Sequence, residues 1–163
     1  MSTLLEMKKD KIDVTNRNVE CLTSARALVN RAWGAPASNR ASYSELLREA
    51  QALLEAELQV TPDDVAVLTC LGAVLCDLQL HSQALEYLAR AIALGAIDWH
   101  TYFNAFVALL RCSTIDDARA MLTRGADFDA DPATWQAYRG GLARSDSFLR
   151  FLSGTSGAVM LPI

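Results

Sequence analysis

The most reactive side chains in this sequence belong to four cysteines and two histidines: Cys21, Cys70, Cys76, Cys112, His81 and His100. Cys76 and His81 are near enough along the chain to suggest a thiol–imidazole dyad, the arrangement that makes a cysteine nucleophilic. The surrounding residues argue against it. Cys70 and Cys76 lie in the apolar stretch TCLGAVLC, on a packed helical face, where cysteine acts as a small hydrophobe. No Cys-x-x-Cys pair occurs, and the cysteine and histidine spacings do not form a zinc site. Reduced thiols in a cytoplasmic protein are therefore expected. Two carboxylate pairs, Asp63-Asp64 and Asp116-Asp117, could serve acid–base chemistry. Each also opens a helical pattern, where acids complement the positive end of the helix dipole. The sequence contains no H-E-x-x-H, G-x-S-x-G, G-x-x-x-x-G-K-[ST] or G-x-G-x-x-G, and SGTSG at 153–157 reads as a flexible tail. The expectation is a protein that is not an enzyme, with no catalytic residues, no metal and no cofactor.

Charge narrows the partners. The 163 residues carry a formal net charge of −4, which disfavours nucleic acid, since that needs a basic face. The charge is concentrated: residues 57–132 hold eleven acids and four bases, a net of −7. Most of this reads as a solvated face, though it would also suit a basic partner. The N-terminal MSTLLEMKKDKIDVTNR has no apolar run after its lysines, so it does not read as a secretory signal. No uncharged apolar run reaches the roughly 18 residues that span a bilayer, so membrane insertion is not expected.

Any site must be positioned by helices. Apolar residues recur near every 3.6 positions, and period-two alternation is absent, so the chain reads as all-α. Residues 1–18 are polar and form a flexible arm, or a short helix that orders on a partner; 19–152 form the helical domain and 153–163 a tail. VECLTSARALVNRAW is amphipathic, and GAPASNRAS is the clearest loop. Ser42 with Glu45 forms a capping box ahead of Leu46, Leu47, Ala50, Leu53, Leu54 and Leu58. Thr61 and Pro62 start the next helix, which runs to about Asp77. Helices follow from about Ser82 to Leu94, with Gly95 as the residue after the cap, from Asp98 to Arg111, and from Ser113 or Thr114 to Arg124. Asp131 and Pro132 start a last helix to about Leu152.

A shift of 34 residues brings the helices into register. Ala50, Ala84 and Ala118 align, as do Leu54, Leu88 and Leu122; Leu68 meets Tyr102, Leu71 meets Ala105, Leu75 meets Leu109, and Gly72 meets Phe106, a mismatch. With its Leu71-Gly72 pair, Leu75, Ala84, Leu88 and Ala91, this pattern resembles the tetratricopeptide repeat over roughly residues 42–145, with Trp135 and Tyr138 opening a third copy. The resemblance implies antiparallel helix pairs stacked as a short right-handed solenoid, each pair covered by its neighbours. It also implies that the first helix of each pair lines a concave groove. The positions so mapped are Ala66, Thr69, Ala73 and Cys76, then His100, Phe103, Val107 and Leu110, extended by Ala137 and Arg144. Thr69, Ala73, Phe103 and Val107 stand where chaperone-cofactor members carry a carboxylate clamp, so that clamp is absent. Asn104 is the polar amide nearby. Alternatively, Phe103, Val107 and Leu110 are core, covered by the chain's own ends.

These features predict a non-enzymatic protein-binding module. The nearest specific form is a small cytoplasmic chaperone or adaptor resembling the type III secretion chaperones, which hold an apolar or amphipathic segment of another protein in such a groove. The competing form is an immunity or inhibitor protein that blocks a basic toxin through acidic surface. VECLTSARALVNRAW offers a face for a homodimer or heterodimer.

Overall fold

The computed structural model describes residues 4–35 and 39–128. Six helices follow one another: α1 (Leu4–Gly34), α2 (Arg40–Val60), α3 (Val65–Asp77), α4 (His81–Ala93), α5 (Trp99–Cys112) and α6 (Ile115–Gly125). Among the described residues there is no strand. The predicted helix from 131, the tail from 153, and Trp135, Ala137, Tyr138 and Arg144 lie outside the described residues.

The helix starts show where local chemistry decides. Asp98 caps α5 by accepting from the His100 backbone N–H at 3.0 Å. Thr114 caps α6 and forms a capping box with Asp117. Two predicted caps are displaced. Asn39 rather than Ser42 caps α2, its side chain accepting from the Ser42 N–H at 3.2 Å, so the Ser42–Glu45 capping box does not form. Asp64 rather than Thr61 caps α3, accepting from the Val67 N–H at 3.0 Å. Thr61 instead caps the end of α2, where its N–H and hydroxyl both donate to the Glu57 carbonyl.

The N-terminal stretch also differs from expectation. Where the sequence suggests a flexible arm or a short helix that orders on a partner, the stretch is the first part of a long α1, helical from Leu4. It is secured where it passes the α2–α3 turn: Arg17 donates to Glu57 at 3.1 Å and Asn18 to Asp64 at 2.6 Å. Its 31 residues would extend roughly 46 Å.

Helices α3 and α4 both end in a left-handed residue. After α4, Gly95 (φ 88°) donates its N–H to Ile92 at 3.1 Å, and Ala96 donates to Ala91 at 3.0 Å. After α3, Gln79 donates to Cys76 at 3.0 Å and Leu80 to Leu75 at 2.8 Å, the same two bonds. Gln79, however, adopts φ 64° with a side chain, a conformation that costs L-residues roughly 1–2 kcal/mol. Gln79→Gly is therefore expected to stabilise the fold by about 0.5–1 kcal/mol, after the glycine's added chain entropy and the loss of two long 3.4 Å side-chain contacts, to the Cys76 carbonyl and to His81. A rise in the urea midpoint at constant slope checks this; a fall would show that the side chain matters more than the backbone strain.

Neighbouring helices pack pairwise along the chain, and α1–α3 and α3–α5 also touch directly. Comparable packing does not join α2 to α4 or α4 to α6 among the described residues. The register of 34 is repeated in burial: Ala50, Ala84, Ala118, Leu54, Leu88 and Leu122 are all buried. The larger core cluster takes residues from α1 to α4 together with Ala105 and Ala108 of α5. A smaller one joins Tyr102, Phe103 and Phe106 to Ala118 and Leu122. Ile92 and Met121 pack against both, so the stack is continuous.

Candidate functional site

Helices α3 and α5 touch directly, and of the predicted groove residues Thr69, Cys76 and Asn104 make hydrogen bonds across that contact. Thr69 and Thr101 share a hydrogen bond of 2.8 Å between buried hydroxyls. Further along, the Cys76 thiol donates to the Asn104 carbonyl at 3.6 Å. Thr69, Ala73 and Cys76 are buried. Thr69 and Cys76 close the joint between the two helices, and little of any of the three is left to line a groove. Ala66, at the start of α3, is exposed.

On α5, Phe103 is 5 % exposed and belongs to the smaller core cluster, edge-on to Trp99 at 5.9 Å and tilted against Phe106 at 5.9 Å. Asn104, Val107 and Leu110 are half-buried. They form the part of the predicted row that keeps accessible surface while packing on the core. His100 is held at the head of α5: its Nδ1 lies 2.8 Å from Asp98 Oδ1 and its ring stacks on Trp99 at 4.0 Å. The His100 hydrogen bond keeps the Asp98 carboxyl below its ordinary range.

Side chains considered for chemistry have structural partners. Burial, then the negative charge of Asp77 and the neighbouring Cys112, pushes the Cys76 thiol far up, which keeps it protonated and a poor nucleophile. His81 begins α4, with Nε2 3.4 Å from the Gln79 side-chain oxygen. Burial and then Arg111 lower its pKa. Asp63 pairs with Arg90 at 2.6 Å and Asp116 with Arg119 at 3.3 Å, both pairs exposed. Hydrogen bonds from Ser113 and Thr114 hold the Asp117 carboxyl low. Asp64 is a helix cap and Asp117 the capping-box partner of Thr114, so neither carboxylate pair is arranged as a matched acid and base. Among the described residues no group of three or more histidine, cysteine, aspartate or glutamate side chains could hold a metal ion. Within them no helix is long and apolar enough to cross a membrane.

Two polar features were not anticipated. Thr101 completes the seam opposite Thr69, a pairing that depends on which helices become neighbours. Asp77 ends the otherwise apolar α3 and accepts a hydrogen bond from Trp33 of α1 at 3.2 Å. A lone acid closing an apolar helix was the available signal for it.

The fold and seam define an all-helical protein of pairwise-packed helices, with a row of half-buried side chains on α5 beside the α3–α5 joint. No family model matches the chain, and no curated protein matches it either.

Proposed function

We propose that this protein is a non-enzymatic binding module of the tetratricopeptide kind, a small cytoplasmic chaperone or adaptor that holds an apolar or amphipathic segment of another protein along α5. The observation that carries this reading is the row Asn104, Val107 and Leu110, half-buried on a helix whose other face is core. Two features support it. Helices α1, α3 and α5 touch in sequence, while packing of comparable extent does not join α2 to α4 or α4 to α6 among the described residues, so the first helices of successive pairs share one side of the stack. The row itself is apolar apart from one amide, which fits recognition through side-chain pockets. Type III secretion chaperones are the specific group this size, acidity and repeat pattern resemble.

The test compares capture of partners from the native cell by the wild type and by Val107→Lys. A single stoichiometric partner is expected with the wild type, and at least a tenfold loss of affinity with the variant at unchanged helicity and urea midpoint, a change of about 1.4 kcal/mol. A partner that binds both equally would move the interface off α5. A basic toxin or nuclease as the sole partner would replace the chaperone reading with an inhibitory one, favoured by the acidic residues 57–132.

A further inference from the structure

Asp77 stands in an unusual place for a carboxyl group. It is the last residue of α3 and is 9 % exposed. The carbonyl end of a helix carries partial negative charge, which disfavours a second negative charge there. Its Oδ2 accepts the Trp33 indole N–H from the last turns of α1, at 3.2 Å. Trp33 in turn stands edge-on to Tyr43 in the first turns of α2, with centroids 5.6 Å apart and planes at 90°. The carboxyl therefore binds one arm of the α1–α2 hairpin directly and bears on the other through Trp33. The donor it receives is neutral, and the neighbouring rings offer little solvation to an anion.

We propose that Asp77 is a pH-dependent latch between the α1–α2 hairpin and α3, closed when the carboxyl is protonated and loosened when it ionises. The protonated group still accepts from Trp33 through an oxygen, and no charge is left buried. The ionised group retains the same bond but must be solvated, which favours opening of the hairpin end. Burial raises the Asp77 pKa to about 7, with the Trp33 hydrogen bond pulling the other way.

The ionisable neighbours do not offset this. From α2, the Tyr43 phenol is pushed up by burial and then by Asp77. On α3 itself, the Cys76 thiol is pushed up by burial and then by Asp77. Both stay neutral across the range concerned. His81 of α4 and Arg111 of α5 act on each other, Arg111 adding to the effect of burial in lowering the histidine. From α1 the contact is the uncharged Trp33.

The folded pKa lies above the unfolded value of about 3.9, so the unfolded chain releases this proton first. Stability therefore falls as pH rises, by up to tenfold in the folding constant per pH unit between about 4 and about 7, and levels off above. This window is set by the raised value of Asp77.

The test is the Trp33 indole N–H resonance in the full chain, assigned by its loss in Trp33→Phe. In the wild type it is expected to titrate with a midpoint near 7, and amide exchange in the α1–α2 hairpin is expected to quicken between about pH 4 and that midpoint by more than intrinsic base catalysis requires, and to follow base catalysis alone above it. Asp77→Asn is expected to abolish both effects and to raise the urea midpoint at about pH 8. Should that variant not fold, the carboxyl carbon of Asp77 in labelled wild-type protein gives the same answer. A carboxyl midpoint near the ordinary value of about 4 overturns the proposal. So does an indole titration that persists in Asp77→Asn, or a hairpin whose exchange ignores the ionisation.

Discussion

Gly72→Ala is expected to destabilise the fold by about 2 kcal/mol, and to do so only while Leu88 is present. A Cβ at position 72 would lie 2.4 Å from Leu88 Cγ and 2.6 Å from its Cδ2. The nearest atom is the branch point of the leucine rather than its tip, and Leu88 is fully buried, so it has no free space to swing into. The methyl must therefore push α3 and α4 apart. Alanine's better helix propensity returns about 1 kcal/mol, which is smaller than the strain expected at this distance. Leu88→Ala alone is expected to cost about 2–5 kcal/mol through its cavity. In that background the added methyl has room, and Gly72→Ala should become neutral or stabilising. Urea midpoints of the four proteins of this double-mutant cycle decide the matter. If Gly72→Ala costs the same with and without Leu88, the close approach is not the reason for the glycine.

Phe103→Glu is expected to release the α5–α6 pair, at a cost of at least about 4 kcal/mol. Loss of a buried phenylalanine accounts for about 3–5 kcal/mol, and the inserted carboxyl must in addition be desolvated or protonated. Phe103 contacts Trp99 and Phe106 and shares a cluster with Tyr102, Ala118 and Leu122. The main core of α1 to α4 lies outside that cluster, linked to it through Ile92 and Met121. Hydrogen exchange should therefore lose protection first over residues 99–125, while residues 40–77 remain protected, as expected of a stack stabilised by its interfaces. Phe103→Leu keeps the site apolar and should cost only about 1–2 kcal/mol. An unchanged urea midpoint for Phe103→Glu would place this ring on the binding face rather than in the core. For this reason Val107, with its half-buried side chain, is the cleaner probe of partner binding.

Helix content and most helix positions were legible because they depend on local pattern. The 3.6-residue spacing of apolar residues identifies α2 to α6, and Asp98, Thr114 and Gly95 act as caps within a few residues of the chain they terminate. The register of 34 was legible for the same reason: Ala50, Ala84 and Ala118, with Leu54, Leu88 and Leu122, share one buried role on successive helices. Competing caps were less legible. Ser42 and Asn39, or Thr61 and Asp64, are all good cap residues, and nothing in the local pattern chooses between them. The N-terminal half of α1 was not visible as helix because Arg17 and Asn18 are anchored by Glu57 and Asp64, some forty residues away.

The mapped site shows the same division. The resemblance to the tetratricopeptide repeat implied that Thr69, Cys76, Phe103, Asn104, Val107 and Leu110 lie on or beside a groove along the first helices of successive pairs. Spacing could not say which of them the seam would bury. That follows from α3 and α5 touching directly, which turns Thr69 towards Thr101 and Cys76 towards the Asn104 carbonyl and leaves Asn104, Val107 and Leu110 half-buried. Asp77 is the clearest case. By sequence it is an acid at the end of an apolar helix, an ordinary exposed position. Only the hairpin folded over it, with Trp33 and Tyr43 at the joint, buries the carboxyl and raises its pKa. Local periodicity and capping are properties of neighbouring residues and can be read along the chain. Burial and desolvation are properties of residues brought together from far apart, and the tertiary structure alone decides them.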